Sequence, residues 1–138
     1  MKKNKLNILF VSGFIFMFQL SFAPPAKMIP DSIVLAFQAG NATELAKHFN
    51  TSIELVILEE EDIYSKTQAE QIIRKFFSDN KPSSFTVIFE GGKEPSKYAI
   101  GKLVTSTGPY RVYLLIKENE GSPLIHQIRI EAEDAENE

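Results

Sequence analysis

Three strand-like segments follow one another over residues 98–131 with only short turns between them, and this run constrains the fold more than any other part of the chain. They read as 98–105, 110–117 and 124–131. Ser106-Thr107-Gly108-Pro109 separates the first two, and 118–123 separates the next, with Gly121 and Pro123 near its end. Both joints carry the Gly and Pro punctuation that ends a strand and reverses it, so an antiparallel meander is expected. Three long strands cannot bury both faces alone, and the preceding residues are therefore expected to cover one of them.

Residues 1–23 have the three parts of a secretory signal peptide. Lys2, Lys3 and Lys5 form a positive start, an apolar core runs over 6–20, and Ser21-Phe22-Ala23 supplies small residues for cleavage after Ala23, with Ala26 as the alternative. That core is short for an ordinary spanning helix. Its removal leaves 12 basic residues against 18 acidic ones, a net charge near −6. A chain so acidic, without a basic stripe, is unsuited to nucleic acid, whose affinity is dominated by neutralising phosphates; no membrane association is expected after cleavage. With no cysteine, an exported chain must rely on an apolar core rather than disulfides. The expected organisation is an extended lead over 24–30, one domain over 31–133 and an acidic tail over 134–138.

Two short helices joined at Gly40 open that domain. Asp31 or Ser32 is placed to cap the first, over 31–39, and Gly40 to end it. Asn41 caps the second, with Glu44 in the capping-box position and Ala42, Leu45, Ala46 and Phe49 at helical spacing. Alternation over 52–58 predicts a strand, and Glu59-Glu60-Glu61-Asp62 reads as a solvated turn, since neither EF-hand spacing nor histidine accompanies the acids. Next, Ser65 and Gln68 form a capping box for a helix over 66–78, whose apolar stripe is Ala69, Ile72, Ile73, Phe76 and Phe77. Phe85, Val87 and Phe89 then place a strand over 85–90 with these three on one side.

This order predicts an α+β domain. The bent pair around Gly40-Asn41, the strand ending at an acidic turn, the helix start Tyr64-Ser65-Lys66-Thr67-Gln68-Ala69, the Phe76-Phe77 helix end and the Ile128-Arg129-Ile130 strand resemble the nuclear-transport-factor-2-like superfamily. More narrowly, they resemble a small family of exported bacterial proteins, domain of unknown function 4783. The resemblance implies a cone of cystatin-like type: a strongly curved antiparallel sheet wrapped around the long helix, often holding a small molecule at its open end. It also implies export to the periplasm or exterior of a Gram-negative bacterium.

On the last strand Leu124, His126, Ile128 and Ile130 are expected to face the helices, with Ile125, Gln127, Arg129 and Glu131 outside. On the strand before it, Tyr110, Val112, Leu114 and Ile116 are expected inside. An aromatic inner set of Phe37, Phe76, Tyr98, Tyr110 and His126 is the expected lining for a small apolar or amphipathic ligand. Tyr113, Leu115 and Ile125, on the outer face, are the expected homodimer contacts. No catalytic residue, metal ligand or cofactor is assigned. Steroid isomerases with this cone use a strand aspartate with a tyrosine and a protonated acid, and Tyr98, Tyr110 and His126 have no accompanying carboxylate; Glu90 and Lys102 are rim positions. The alternative is an isomerase or hydro-lyase with His126 as base. His48 is expected at a solvent-facing helix end.

Overall fold

Val112, Leu114 and Ile116 alternate with Tyr113, Leu115 and Lys117, and this period of two defines two unlike faces of the sheet. In a computed structural model, which describes residues 29–134, the first three are buried and the second three reach solvent to varying degrees. The signal-peptide reading of 1–23, the lead over 24–28 and the tail over 135–138 lie outside the described residues.

The elements are α1 (Asp31–Ala39), α2 (Ala42–Ala46), β1 (Phe49–Ile57), β2 (Glu60–Ser65), α3 (Lys66–Asp79), β3 (Pro82–Lys93), β4 (Ser96–Thr105), β5 (Gly108–Asn119) and β6 (Ser122–Ala132). Six strands form one curved sheet in the order β2-β1-β6-β5-β4-β3. The three helices cover one face, so the domain is α+β as expected. Two features differ from the sequence reading. The sheet is mixed, because β1 runs parallel to β6 beside it. The acidic run is also a turn only at Glu59: Glu60, Glu61 and Asp62 belong to β2, an edge strand paired with β1 and exposed along nearly all its length. Exposed acids on an edge strand discourage pairing with a foreign chain.

Helix boundaries follow local chemistry. The Ser65 hydroxyl accepts from the Gln68 backbone N–H while the Gln68 side chain accepts from the Ser65 N–H, a complete capping box for α3. Asn41 caps α2 through the Glu44 N–H, but the Glu44 carboxylate turns instead to Lys47 at 2.6 Å. Pro30, not Asp31 or Ser32, precedes α1, and it provides no side-chain cap. Gly40 closes α1 at φ +62°, a conformation that favours glycine. α2 stops at Ala46, and Phe49 opens β1 rather than ending the helix.

Rows of paired residues build the covered face. One row runs Leu55, Ile128, Leu114 and Ala99, and the next runs Ile57, Ile130, Val112, Gly101 and Val87. Onto them pack Ile33 and Phe37 from α1, Leu45 from α2, and Ala69, Ile73, Phe76 and Phe77 from α3. The second row contains a glycine because Phe85 needs its space. A Cβ at Gly101 would stand 2.3 Å from the Phe85 ring. That ring is in turn stacked on Phe37, with centroids 4.6 Å apart, while Phe37 meets Phe77 edge-on at 6.0 Å.

Gly101→Ala is therefore expected to destabilise the fold by about 1–3 kcal/mol, the usual cost of overpacking a closed core. Urea denaturation of Gly101→Ala, Phe85→Leu and the double variant checks this. Shortening Phe85 should relieve the clash, so the double variant should lose less than the two single losses together.

Candidate functional site

Two single-residue irregularities decide which side chains share a surface. On β6 the register with β5 passes from Leu115↔Gln127 to Ile116↔Ile125, leaving His126 as the extra residue of a β-bulge. Alternation reverses there. Ile125 is fully buried beside Phe49 and Ile116, so it is a core residue and not an outer contact. His126 correspondingly leaves the inner face and shares a shallow depression with Leu115, Lys117 and Glu54 on the open one. A second bulge lies on β3, where Val87 pairs with Gly101 and Phe89 with Ile100. Ile88 is the extra residue, and Phe89 moves to the face opposite Phe85 and Val87.

The five residues expected to line a ligand cavity consequently do not converge. Phe37 is wholly inside the core, packed between Phe77 and Phe85. Tyr98 lies on the open face, 43% exposed, with its ring across Gly91 and stacked on Phe89 at 5.8 Å. His126 is on the open face too. Only Phe76 and Tyr110 meet, edge to face at 5.2 Å. The Tyr110 hydroxyl donates to Asn80 Oδ1 at 3.0 Å, and the Thr107 hydroxyl donates to the same oxygen. Asn80 also donates through Nδ2 to the Phe76 carbonyl. Tyr110 thus ties the end of α3 to the β4–β5 hairpin, and its hydroxyl already has a structural partner.

A groove of about 660 Å³ opens beside this latch, between α3 and the β1–β2 joint. Ile57, Ile72 and Phe76 supply its apolar part, with Leu58, 49% exposed, at one lip. Glu59, Glu60, Asp79 and Lys75 stand around it, and Lys75 is paired with Asp79 at 2.6 Å.

The open face of the sheet carries a larger apolar grouping. One row across it reads Val56, Arg129, Tyr113, Ile100 and Phe89, and the neighbouring row reads Ile63, Glu54, Gln127, Leu115 and Tyr98. Ile63 is 68% exposed, Phe89 51%, and Ile88 beside it 53%. Tyr113, Leu115 and Ile100 are half-buried by their neighbours. Tyr113 and Leu115 are where the alternation places them. Ile63, Ile88 and Phe89 were missed, because an acidic edge strand carries no alternation and Phe-Thr-Val-Ile-Phe contains no sign of a bulge.

His126 has a lowered pKa, first because burial disfavours its charged form and then because the Lys117 ammonium is near. Its Nε2 is closed off from water and has no hydrogen-bond partner. A general base needs a group that orients it, and no side chain is hydrogen-bonded to this nitrogen. His48 is half-buried at the α2–β1 joint rather than solvent-facing, and burial lowers its pKa as well. Among the described residues no three His, Asp or Glu side chains converge as a metal site.

The family model for a domain of unknown function, DUF4783, matches residues 30–131, nearly the whole described domain. The chain belongs to the DUF4783 family. A crystal structure of a DUF4783 family protein from Bacteroides ovatus is 33% identical, with a TM-score of 0.75, and the match covers 79% of this chain and 99% of that one. More distant likenesses show the fold alone. An NTF-2-like protein of unknown function from Silicibacter pomeroyi is 13% identical with a TM-score of 0.58, covering 75% of this chain and 88% of that one. A domain of unknown function with a cystatin-like fold from Nostoc punctiforme is 9% identical with a TM-score of 0.63, covering 77% and 74% respectively. No curated protein matches the chain. The expected nuclear-transport-factor-2-like and cystatin-like architecture is thus the observed one.

In this DUF4783 chain Tyr110→Phe removes only the hydroxyl that reaches Asn80 and Thr107. A loss of about 1 kcal/mol is expected, the usual net worth of a hydrogen bond. Thermal or urea unfolding measures it, and an unchanged midpoint would show that the latch contributes nothing.

Proposed function

We propose that this protein is an exported, non-catalytic interaction module that works through the open face of its sheet, and that a second copy of the chain occupies that face. The observation that carries this reading is the grouping of Phe89, Tyr98, Ile100, Tyr113 and Leu115 on one side of β3, β4 and β5, with exposed Ile88 beside Phe89. Contiguous exposed apolar surface on a soluble domain marks an interaction site. The distribution of charge favours a copy of the same chain. Glu54 and Glu61 lie on the β1–β2 side of the apolar rows, while Lys102 and Arg111 lie together on β4 and β5, where Arg111 also stands opposite Glu131 and is paired with Glu133 at 3.2 Å. A two-fold pairing about the Tyr113 region sets the acidic side of each copy over the basic side of the other. The filled core supports a surface role, since Phe37, Phe77 and Phe85 occupy the space a cone ligand would need. Export rests on the signal-like residues 1–23.

Sedimentation equilibrium of the chain lacking residues 1–23 is expected to give a dimer over the micromolar range. Tyr113→Glu and Leu115→Glu should each weaken association at least a hundredfold without changing the far-ultraviolet circular dichroism. A single monomeric mass at every concentration would reject the homodimer.

A second reading, a small amphipathic ligand, is favoured by the α3 groove, whose volume lies in the usual range for ligand sites. Its acidic surround suits a cationic head with an apolar tail. Decylamine should shift the methyl resonances of Ile57 and Ile72 and decanoate should not, and equal silence from both would remove this reading.

A further inference from the structure

Resting on the sheet-face dimer proposed above, we infer that His126 makes this association depend on pH, with the second copy released as the histidine takes up a proton. His126 lies at the margin of the apolar face. The depression it occupies, of about 230 Å³, is shared with Leu115, which belongs to that apolar grouping, and with Ile63, which lies in the same row beyond Gln127 and Glu54. A partner that covers Leu115 and Ile63 therefore closes the mouth of that depression.

Protonation gives the imidazole a positive charge and leaves both ring nitrogens as donors. One of them, Nε2, is shut off from water and has no acceptor. A buried N–H without an acceptor loses its hydration and gains nothing in return. In a free chain the depression is open, so the charged ring can swing toward solvent. Beneath a second copy it has no such exit.

The charges around the ring do not reverse this preference. Lys117 on β5 repels the imidazolium, and burial and Lys117 both lower the pKa. Glu54 on β1 is the acid in the same depression, and it makes no hydrogen bond to the buried ring nitrogen Nε2. β2 presents Ile63 there, and β6 itself presents Gln127. The bulge makes this possible, because without the extra residue His126 would face the core and Ile125 the partner.

The sign follows from linkage. Two free chains bind protons at His126 more readily than the dimer does, so association is complete above the free chain's His126 pKa, which burial and Lys117 hold below the ordinary histidine value, and declines as pH falls through it. Sedimentation velocity at about pH 8 and about pH 5.5 reads this directly. Each unit of pKa shift is a tenfold change in affinity for a proton, and two histidines act per dimer, so the dimer should weaken roughly ten- to a hundredfold. His126→Gln should remove most of that dependence, and His48→Gln should retain it. The His126 Cε1–H resonance offers a reading that needs no variant: its apparent pKa should fall as protein concentration rises.

A dimer of equal strength at both pH values, the wild-type pH dependence persisting in His126→Gln, or a His126 pKa independent of concentration in a protein that does dimerise would each overturn this inference and leave the dimer standing. Monomers at both pH values would overturn the dimer and this inference together.

Discussion

The packing of the Phe85 ring onto Gly101 is the contact on which the rest of the interior depends. Gly101 sits in a row otherwise made of Ile57, Ile130, Val112 and Val87, and only its missing Cβ lets a ring lie flat against the sheet. Phe37 then stacks on Phe85, Phe77 meets Phe37 edge-on, and Phe76 meets both Phe77 and Tyr110. Aromatic rings are the largest apolar volumes available, and edge-to-face and stacked pairs add to their burial. One chain of rings thus links β3, α1, α3 and β5.

This packing redirects the question of function. A curved sheet around a helix offers a concavity, and in a chain with smaller residues at positions 37, 77 and 85 that concavity would be available to a ligand. Here Phe37, Phe77 and Phe85 fill its interior, and the groove that remains lies beside α3 at the β1–β2 joint. The polar groups nearest its open end are also engaged, since Tyr110, Thr107 and Asn80 satisfy one another. Apolar surface that is not used inside has been placed outside instead, on β3, β4 and β5, where Phe89 and Tyr98 stack on each other in water.

Much of this was legible in the sequence, and the exceptions have a common physical cause. The meander, the α3 capping box and the Gly40 helix end depend on neighbours within a few residues, which a sequence displays directly. Val112, Leu114 and Ile116 faced the core as their alternation required. His126, Ile125 and Phe89 did not follow, because a bulge shifts the alternation by one residue without altering composition. Leu-Ile-His-Gln-Ile permits either facing, and the choice is made by the register of β5 against β6. β2 escaped for a different reason: its apolar content is small, and its strand conformation comes from pairing with β1.

Placing a histidine at the bulge has a consequence beyond register. A bulge frees one residue from the ladder and directs its side chain independently of the strand's alternation, which is why bulges so often aim a functional group. Had Leu or Ile occupied position 126, the depression beside Leu115 would simply extend the apolar face. With His126 there, the margin of that face holds a group that changes charge near neutral pH, beside Lys117 and away from any acceptor for its buried nitrogen. The same irregularity that hid Ile125 in the core therefore put a histidine at the edge of the apolar grouping on the open face.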